Sequence, residues 1–153
     1  MKRKGNSFGI NLKESHLNWG TYRKTNSRIK RSGEGYLPIP RNIAKTYCIF
    51  NSNGIKSGQD TIGINLFNAK LLSGNGQEAS LVLKAQGSSK AKDRYAKQFS
   101  EKGNLRTLGT WYKSVGAKIG DVVQFTWVDE DTLEVKLESC ICVQNTNSKK
   151  KFN

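Results

Sequence analysis

The pattern of apolar and polar positions is most regular over residues 121–138, where it predicts a β-hairpin. Apolar residues occupy every second position on both sides of an acidic turn at residues 129–131, as in strands that place one face in a core. The predicted core face holds Val123, Phe125, Trp127, Leu133, Val135 and Leu137.

The same twofold alternation predicts two earlier strands, over residues 61–67 and 79–85. Residues 73–76, with the sequence Ser-Gly-Asn-Gly, are typical of the tight turn that joins an antiparallel pair. The apolar positions that alternate are Ile62, Ile64 and Leu66 in the first strand, and Ala79, Leu81, Leu83 and Ala85 in the second.

Short helices are predicted at two places. Residues 36–40 should be extended, because a residue before proline is pushed out of the helical region, and Pro40 then opens a helix over Arg41–Tyr47. Residues 111–115 form the second candidate helix, which Gly116 would close. Between them, Ala91, Tyr95 and Phe99 recur at helical spacing, which predicts either a helical turn or an ordered loop.

These elements predict a mainly β, barrel-like domain with two or three short helices. Residues 1–15 show no periodicity and are predicted to be a flexible lead, residues 16–140 the domain, and residues 141–153 a basic tail. A length of 153 residues fits one domain, and 3 Trp, 5 Tyr and 6 Phe argue against disorder. Four of the rings are predicted to lie in the core: Tyr36, Trp111, Phe125 and Trp127.

Targeting and redox features predict a cytoplasmic protein. No stretch approaches the ~20 consecutive apolar residues of a membrane span, and the basic start leads into Gly5 rather than into an apolar run. Cys48, Cys140 and Cys142 are odd in number and lack metal-ligand spacing, so they are interpreted as reduced thiols.

The charge is large and unevenly placed. The formal net charge is +14, and residues 1–45 hold 11 Lys and Arg against 2 acidic residues, while residues 84–113 hold 8 against 2. Apart from the lysine-rich tail, the rest of the chain is slightly acidic. Two separated cationic segments on such a body predict a polyanionic partner, because cationic side chains release the counterions condensed on phosphates.

The order of motifs along the chain is informative as well. Residues 35–40, Gly-Tyr-Leu-Pro-Ile-Pro, lead into a short helix, a strand pair and a basic insertion follow, and Trp111-Tyr112 and the run Lys-Ile-Gly-Asp-Val-Val-Gln-Phe at 118–125 come later. This order resembles the DNA-binding pseudobarrel, the "B-three" domain of plant transcription factors. It is most similar to the bacterial form, the DNA-recognition domains of restriction endonucleases such as EcoRII, BfiI and their Neisseria relatives. The resemblance spans roughly residues 16–140.

The resemblance implies a seven-stranded open pseudobarrel that grips double-stranded DNA with two arms in the major groove. The N-arm maps onto residues 19–31 and the C-arm onto residues 84–95, within the two segments that carry the charge excess. Candidate contacts in the N-arm are Trp19, Tyr22, Arg23, Lys24, Asn26, Ser27, Arg28 and Lys30. Those in the C-arm are Lys84, Gln86, Ser88, Ser89, Lys90, Lys92, Asp93 and Arg94, and predicted phosphate contacts are Lys102, Arg106 and Lys113.

These side chains suit base recognition, because Arg reads guanine, Asn or Gln reads adenine, and Asp accepts from cytosine. Asp93 could equally form a local ion pair with Arg94 or Lys97. The chain is expected to need no cofactor or metal and to be non-catalytic, with any nuclease in another domain or subunit of a restriction system.

Two other functions remain open from the sequence. One is a β-barrel that binds single-stranded nucleic acid or RNA through exposed rings. The other is a small metal-dependent nuclease, since Glu134-Val135-Lys136 matches half of a nuclease motif, although Glu134 and Lys136 alternate with apolar residues as an ordinary solvent face does.

Overall fold

A computed structural model describes residues 2–17, 35–51, 60–73, 76–87 and 94–138. The described residues form seven strands and three short helices. The strands are β1 (Ser7–Asn11), β2 (Leu37–Pro38), β3 (Leu66–Leu72), β4 (Glu78–Gln86), β5 (Gln98–Glu101), β6 (Val122–Trp127) and β7 (Thr132–Glu138). The helices are α1 (Glu14–Leu17), α2 (Arg41–Tyr47) and α3 (Thr107–Ser114).

All seven strands belong to one curled, mixed sheet that forms a half-barrel, as the predicted pseudobarrel requires. Their order across the sheet is β1-β6-β7-β3-β4-β5-β2. Neighbours are antiparallel except β3 and β7, which run parallel with Asn68 opposite Thr132. The sheet therefore joins the two halves of the chain at its centre, between β7 and β3.

The core fills the inside of the curled sheet. Its largest fully buried side chains include Trp127, Phe67, Phe99 and Phe125, and these rings contact one another edge-on or tilted, with centroids 5.5–6.3 Å apart. The prediction that Tyr36, Trp111, Phe125 and Trp127 lie in the core is confirmed.

Several predicted elements are confirmed because their local signals agree with the fold. β6 and β7 form the predicted hairpin, and β4 contains the strand predicted over residues 79–85. β4 pairs antiparallel across the predicted turn with β3, which shares only Leu66 and Phe67 with the strand predicted over residues 61–67. Pro40 immediately precedes α2, whose bounds are the predicted ones. The predicted helix at residues 111–115 is the second half of α3, and the chain leaves it through Gly116 with φ of +67°.

The prediction of a flexible lead over residues 1–15 is wrong. β1 lies within it and pairs antiparallel with β6, and the alternate residues Phe8, Ile10 and Leu12 are buried in the core. The twofold apolar pattern was present but short, and only its pairing with a strand far along the chain makes it a stable element.

Two further predictions need correction. Residues 61–65 form a turn, not a strand: the backbone N–H groups of Ile64 and Asn65 donate to the carbonyl of Thr61, and Ile62 and Ile64 are more than 40% exposed. Ala91, Tyr95 and Phe99 are at helical spacing, but the described residues 94–99 form no helix and Phe99 lies in β5. Pairing with β4 and β2 overrides the local pattern there.

The N-terminal segment is anchored by a buried arginine. Arg3 is 2% exposed, and its guanidinium donates to the carbonyls of Tyr47 and Cys48 and of Glu130, at 2.7–3.1 Å. The same group lies over the rings of Phe67 and Trp127, about 5 Å from each centroid. Burial lowers the pKa of Arg3. Of the helices in the described ranges, none is long and apolar enough to cross a membrane.

Candidate nucleic-acid interface

A polar groove lies along the outer face of β4 and β5. Alternation along β4 places Leu83 and Ala85 in the core and turns Lys84 and Gln86 outward, and the register puts Ser100 of β5 opposite Lys84. The segment after β5 closes the other side, giving a cavity of about 470 Å³. We call it the β4–β5 groove, and its lining residues are Lys84, Gln86, Ser100, Glu101, Gly103, Asn104, Leu105 and Arg106.

The position of Lys84 in the groove is fixed by an ion pair. Its Nζ lies 3.2 Å from Oδ2 of Asp60, and the amide of Asn65 donates to the other carboxylate oxygen at 2.7 Å. The hydrogen bond from Asn65, helped by Lys84, lowers the pKa of Asp60. Asn65 is fully buried, and its amide oxygen also accepts from the backbone N–H of Thr61. A fixed, buried amide therefore holds the Asp60 carboxylate in position.

The remaining groups of the groove differ in how strongly they are held. Ser100 contacts the amide oxygen of Gln86 at 3.4 Å, and the Thr107 hydroxyl donates to the Glu101 carboxylate. Arg106 is exposed at the rim, and so is Lys102 next to it. The carboxylates of Asp60 and Glu101 thus contact neighbouring side chains, while the cationic side chains of Lys102 and Arg106 face solvent.

The base of the C-arm is fastened by Asn51. This residue is 2% exposed, its amide oxygen accepts from the backbone N–H of Gly87 at 3.0 Å, and its own backbone N–H donates to the carbonyl of Arg94 at 2.8 Å. A Cβ at Gly87 would lie 2.9 Å from the Asn51 amide nitrogen, so a larger residue here would displace the Asn51 side chain. Gly87 and Arg94, which bound residues 88–93, are therefore held side by side.

Arg94 is oriented by two aromatic rings. Its guanidinium carbon lies 5.1 Å from the ring centroid of Phe50 and 5.2 Å from that of Tyr95. The two rings stack on each other with centroids 5.8 Å apart. A guanidinium that contacts rings with its face keeps its edge N–H groups available for bidentate hydrogen bonds. Arg94 is exposed, so this edge can reach a ligand.

Gly35 and Tyr36, which follow the N-arm along the chain, are held against α3. The Tyr112 hydroxyl donates to the carbonyl of Tyr36 at 2.6 Å, and burial raises the pKa of Tyr112. A Cβ at Gly35 would lie 2.9 Å from backbone atoms of Gly109, so the chain enters β2 in close contact with the helix. On the other side of the segment, the carbonyl of His16 accepts from the backbone N–H of Tyr36 at 3.4 Å.

The two fastened positions lie at opposite ends of one strand pair. In the antiparallel pairing of β2 with β5, Leu37 faces Phe99, and Ile39 hydrogen-bonds to Lys97. The N-arm segment therefore joins the pair next to the end of β5, whereas the C-arm joins it at the start of β5. β5 lies between the two attachment points, and Arg94 precedes the first residue of β5 by four positions.

The structure describes part of the predicted site. All eight N-arm candidates (Trp19, Tyr22, Arg23, Lys24, Asn26, Ser27, Arg28 and Lys30) lie outside the described residues, and so do Ser88, Ser89, Lys90, Lys92 and Asp93 of the C-arm. Lys84, Gln86 and Arg106 come together in the β4–β5 groove with Lys102 beside them, and Arg94 lies at the base of the C-arm. Lys113 lies apart, because α3 packs its Trp111 against the far end of β3, where the indole donates to the carbonyl of Leu72.

Sequence reasoning missed Asp60 and Asn51. Nothing in the local sequence connects either residue to β4 or to the C-arm, since both contacts depend on the tertiary fold. Glu134 and Lys136 lie on the outer side of β7, as their alternation with buried residues predicted. Within the described ranges, no three His, Cys, Asp or Glu side chains come together as metal ligands.

Comparison with known proteins supports the fold and nothing finer. No known protein family matches the sequence, and no curated protein does. Among solved structures, this half-barrel is similar to the N-terminal domain of Helicobacter pylori LlaJI.R1, with a TM-score of 0.50 and 7% sequence identity. The similarity covers 97% of this chain and 99% of that one. At this identity the likeness concerns the architecture, so the class defined here is a seven-stranded β half-barrel with a polar groove.

Proposed function

We propose that the protein recognises double-stranded DNA sequence-specifically, as the non-catalytic target-recognition domain of a restriction system. One observation carries the proposal. The two cationic segments predicted as arms join the fold at opposite ends of the β2–β5 pair, and the β4–β5 groove lies beside that pair.

The fastened ends support a recognition role. An arm that carries base-reading side chains must present them in a fixed register, and Asn51 and Tyr112 supply that constraint on the two sides. Phosphate contacts then position the duplex, while base contacts specify the sequence. The exposed edge of Arg94 is suited to guanine, and Gln86 to adenine.

The restriction-system setting is proposed from the motif order of the sequence, together with the likeness in architecture to the N-terminal domain of LlaJI.R1. The charge supports the ligand: the N-arm, residues 19–31, holds five Lys and Arg and no acidic residue. In this proposal, a nuclease that acts with this domain belongs to another domain or subunit.

One observation disfavours a single-strand binder. Every Phe, Tyr and Trp within the described ranges is buried or half-buried, whereas a stacking platform needs exposed rings. Duplex recognition needs only hydrogen-bonding side chains at the groove and cations around it.

The test is a selection from randomised duplex DNA, followed by affinity measurements on the enriched sequence, on random duplex and on single strands. We expect one enriched motif and a preference for duplex. Arg23→Ala and Arg28→Ala should each weaken binding to the motif by about 1–3 kcal/mol and random duplex much less. Lys136→Ala on β7 is the matched control. No enrichment, or equal losses on motif and random DNA, would contradict sequence-specific recognition.

A second assay addresses catalysis. Plasmid incubated with the protein and magnesium should remain intact. Cleavage that Glu134→Gln abolishes would instead establish the nuclease alternative, because this carboxylate is the one that matches the nuclease motif.

A further inference from the structure

We propose that a cleft between β2–α2 and the chain entering β5 binds a backbone phosphate of the duplex. This inference rests on the proposed function and adds a contact on the body of the domain, outside the candidate contacts predicted from the sequence. The cleft has a volume of about 370 Å³ and is lined by Ile39, Arg41, Tyr95, Ala96 and Lys97. We call it the α2 cleft.

The chemistry of the α2 cleft favours an anion. Two of its five lining residues are cationic and none is acidic, and both Arg41 and Lys97 are exposed. A phosphate brought between Arg41 and Lys97 would gain charge-assisted hydrogen bonds, which are about twice as strong as neutral ones.

The arginines are already oriented by aromatic contacts. The guanidinium carbon of Arg41 lies 5.9 Å from the centroid of the Tyr95 ring, and the guanidinium carbon of Arg94 lies 5.2 Å from the same centroid. Contact with a ring fixes the plane of a guanidinium and reduces the side-chain entropy that binding would otherwise cost. Because Tyr95 is engaged by cations, the cleft is suited to a phosphate rather than to a stacked base.

The walls of the α2 cleft are held by backbone hydrogen bonds. Ile39 donates to the carbonyl of Lys97 at 2.8 Å, and Ala96 donates to the carbonyl of Ile49 at 3.0 Å. Both walls therefore belong to the same framework that fastens the C-arm through Asn51. A duplex whose major groove holds the C-arm would pass its backbone beside this framework.

The experiment compares Arg41→Gln, Lys97→Gln and the double variant with wild type on the selected motif and on random duplex. Each single variant should weaken both DNAs by the same factor, roughly tenfold, and the slope of log K against log salt should fall by about 1. Lys136→Gln removes a charge from β7, which β3 and β4 separate from β5, and should change neither quantity. Thermal unfolding of each variant verifies that the fold is retained.

Each result decides between the proposals. Wild-type affinity and salt slope in the double variant would overturn the α2 cleft and leave sequence-specific recognition standing. A loss confined to the selected motif would also overturn it, because it would make these residues base readers. Absence of duplex binding by the wild-type chain would overturn the proposed function and the cleft with it.

Discussion

At the scale of single residues, Arg3 shows what a charge count overlooks. From the sequence it belongs to the cationic excess of residues 1–45, yet the structure buries it against three carbonyl groups and two rings. Its neighbour Lys4 is exposed, and no local pattern distinguishes the two. Burial of a charge depends on which acceptors the fold brings to it, and those come from residues more than forty positions away.

Arg3→Ala is expected to destabilise the protein by about 2–4 kcal/mol, because it leaves buried carbonyls without donors and opens space beside Trp127. The measurement is chemical denaturation at pH 7. Lys2→Ala, at an exposed position, is the matched control and should change the free energy of unfolding very little. Equal stability of the two variants would show that the Arg3 contacts contribute nothing net.

His16 gives the fold a pH dependence of its own. Its Nδ1 accepts from the backbone N–H of Lys13 at 3.0 Å, and burial, aided by the charge of Lys13, lowers the pKa of His16 below the usual 6.5. The unfolded chain therefore binds the proton more readily, so stability is present above pH 6.5 and is lost as the pH falls through the lowered pKa. Thermal unfolding from pH 7.5 to 5 should show this decrease, and His16→Gln should flatten it. An identical decrease in the variant would assign the effect to another group.

At the scale of elements, the strands with long alternating patterns were predictable and the short ones were not. β6 and β7 carry six and seven residues of clear period, whereas β5 has four residues and β2 two. For β5 the helical spacing of Tyr95 and Phe99 gave the opposite signal. Short strands are specified by the neighbours they pair with, and a local window of sequence does not contain those neighbours.

The base of the C-arm behaves as one element, and Asn51 joins its two sides. Asn51→Ala leaves the buried N–H of Gly87 without its acceptor, so we expect a loss of about 1–3 kcal/mol in stability. Amide hydrogen exchange at Gly87 should accelerate more than exchange in β6, since the defect is local. Asn104→Ala, at an exposed groove position, serves as the control. Uniform acceleration across the sheet would contradict a local clamp.

At the scale of the whole molecule, the sequence predicted the class of fold but not the order in which the strands pair. The parallel contact between β3 and β7 and the edge position of β1 depend on pairing between distant parts of the chain. The groove likewise depends on pairing, since β4 and β5 bring Ser100 opposite Lys84, and Lys84 reaches Asp60 only in the folded sheet. The candidate arm residues, by contrast, are predicted from charge and motif order alone, and most of them lie outside the described residues.

Salt dependence tests the molecule as a unit. If the arms and the groove together contact six to ten phosphates, affinity for duplex DNA should fall by ~10³–10⁵ between 50 and 200 mM salt. The measurement is a titration of labelled duplex at several salt concentrations. A nearly flat response would mean that the cationic segments do not face the same ligand.

The pairing of β1 with β6 sets a constraint on biosynthesis. Ser7 lies opposite Thr126, so β1 has no sheet partner until more than a hundred further residues have been translated. Until β6 is made, Phe8 and Ile10 lack their cross-strand neighbours Phe125 and Val123. Their apolar side chains are then available for binding by a chaperone. β1 is thus synthesised long before the strand that completes its pairing in the sheet.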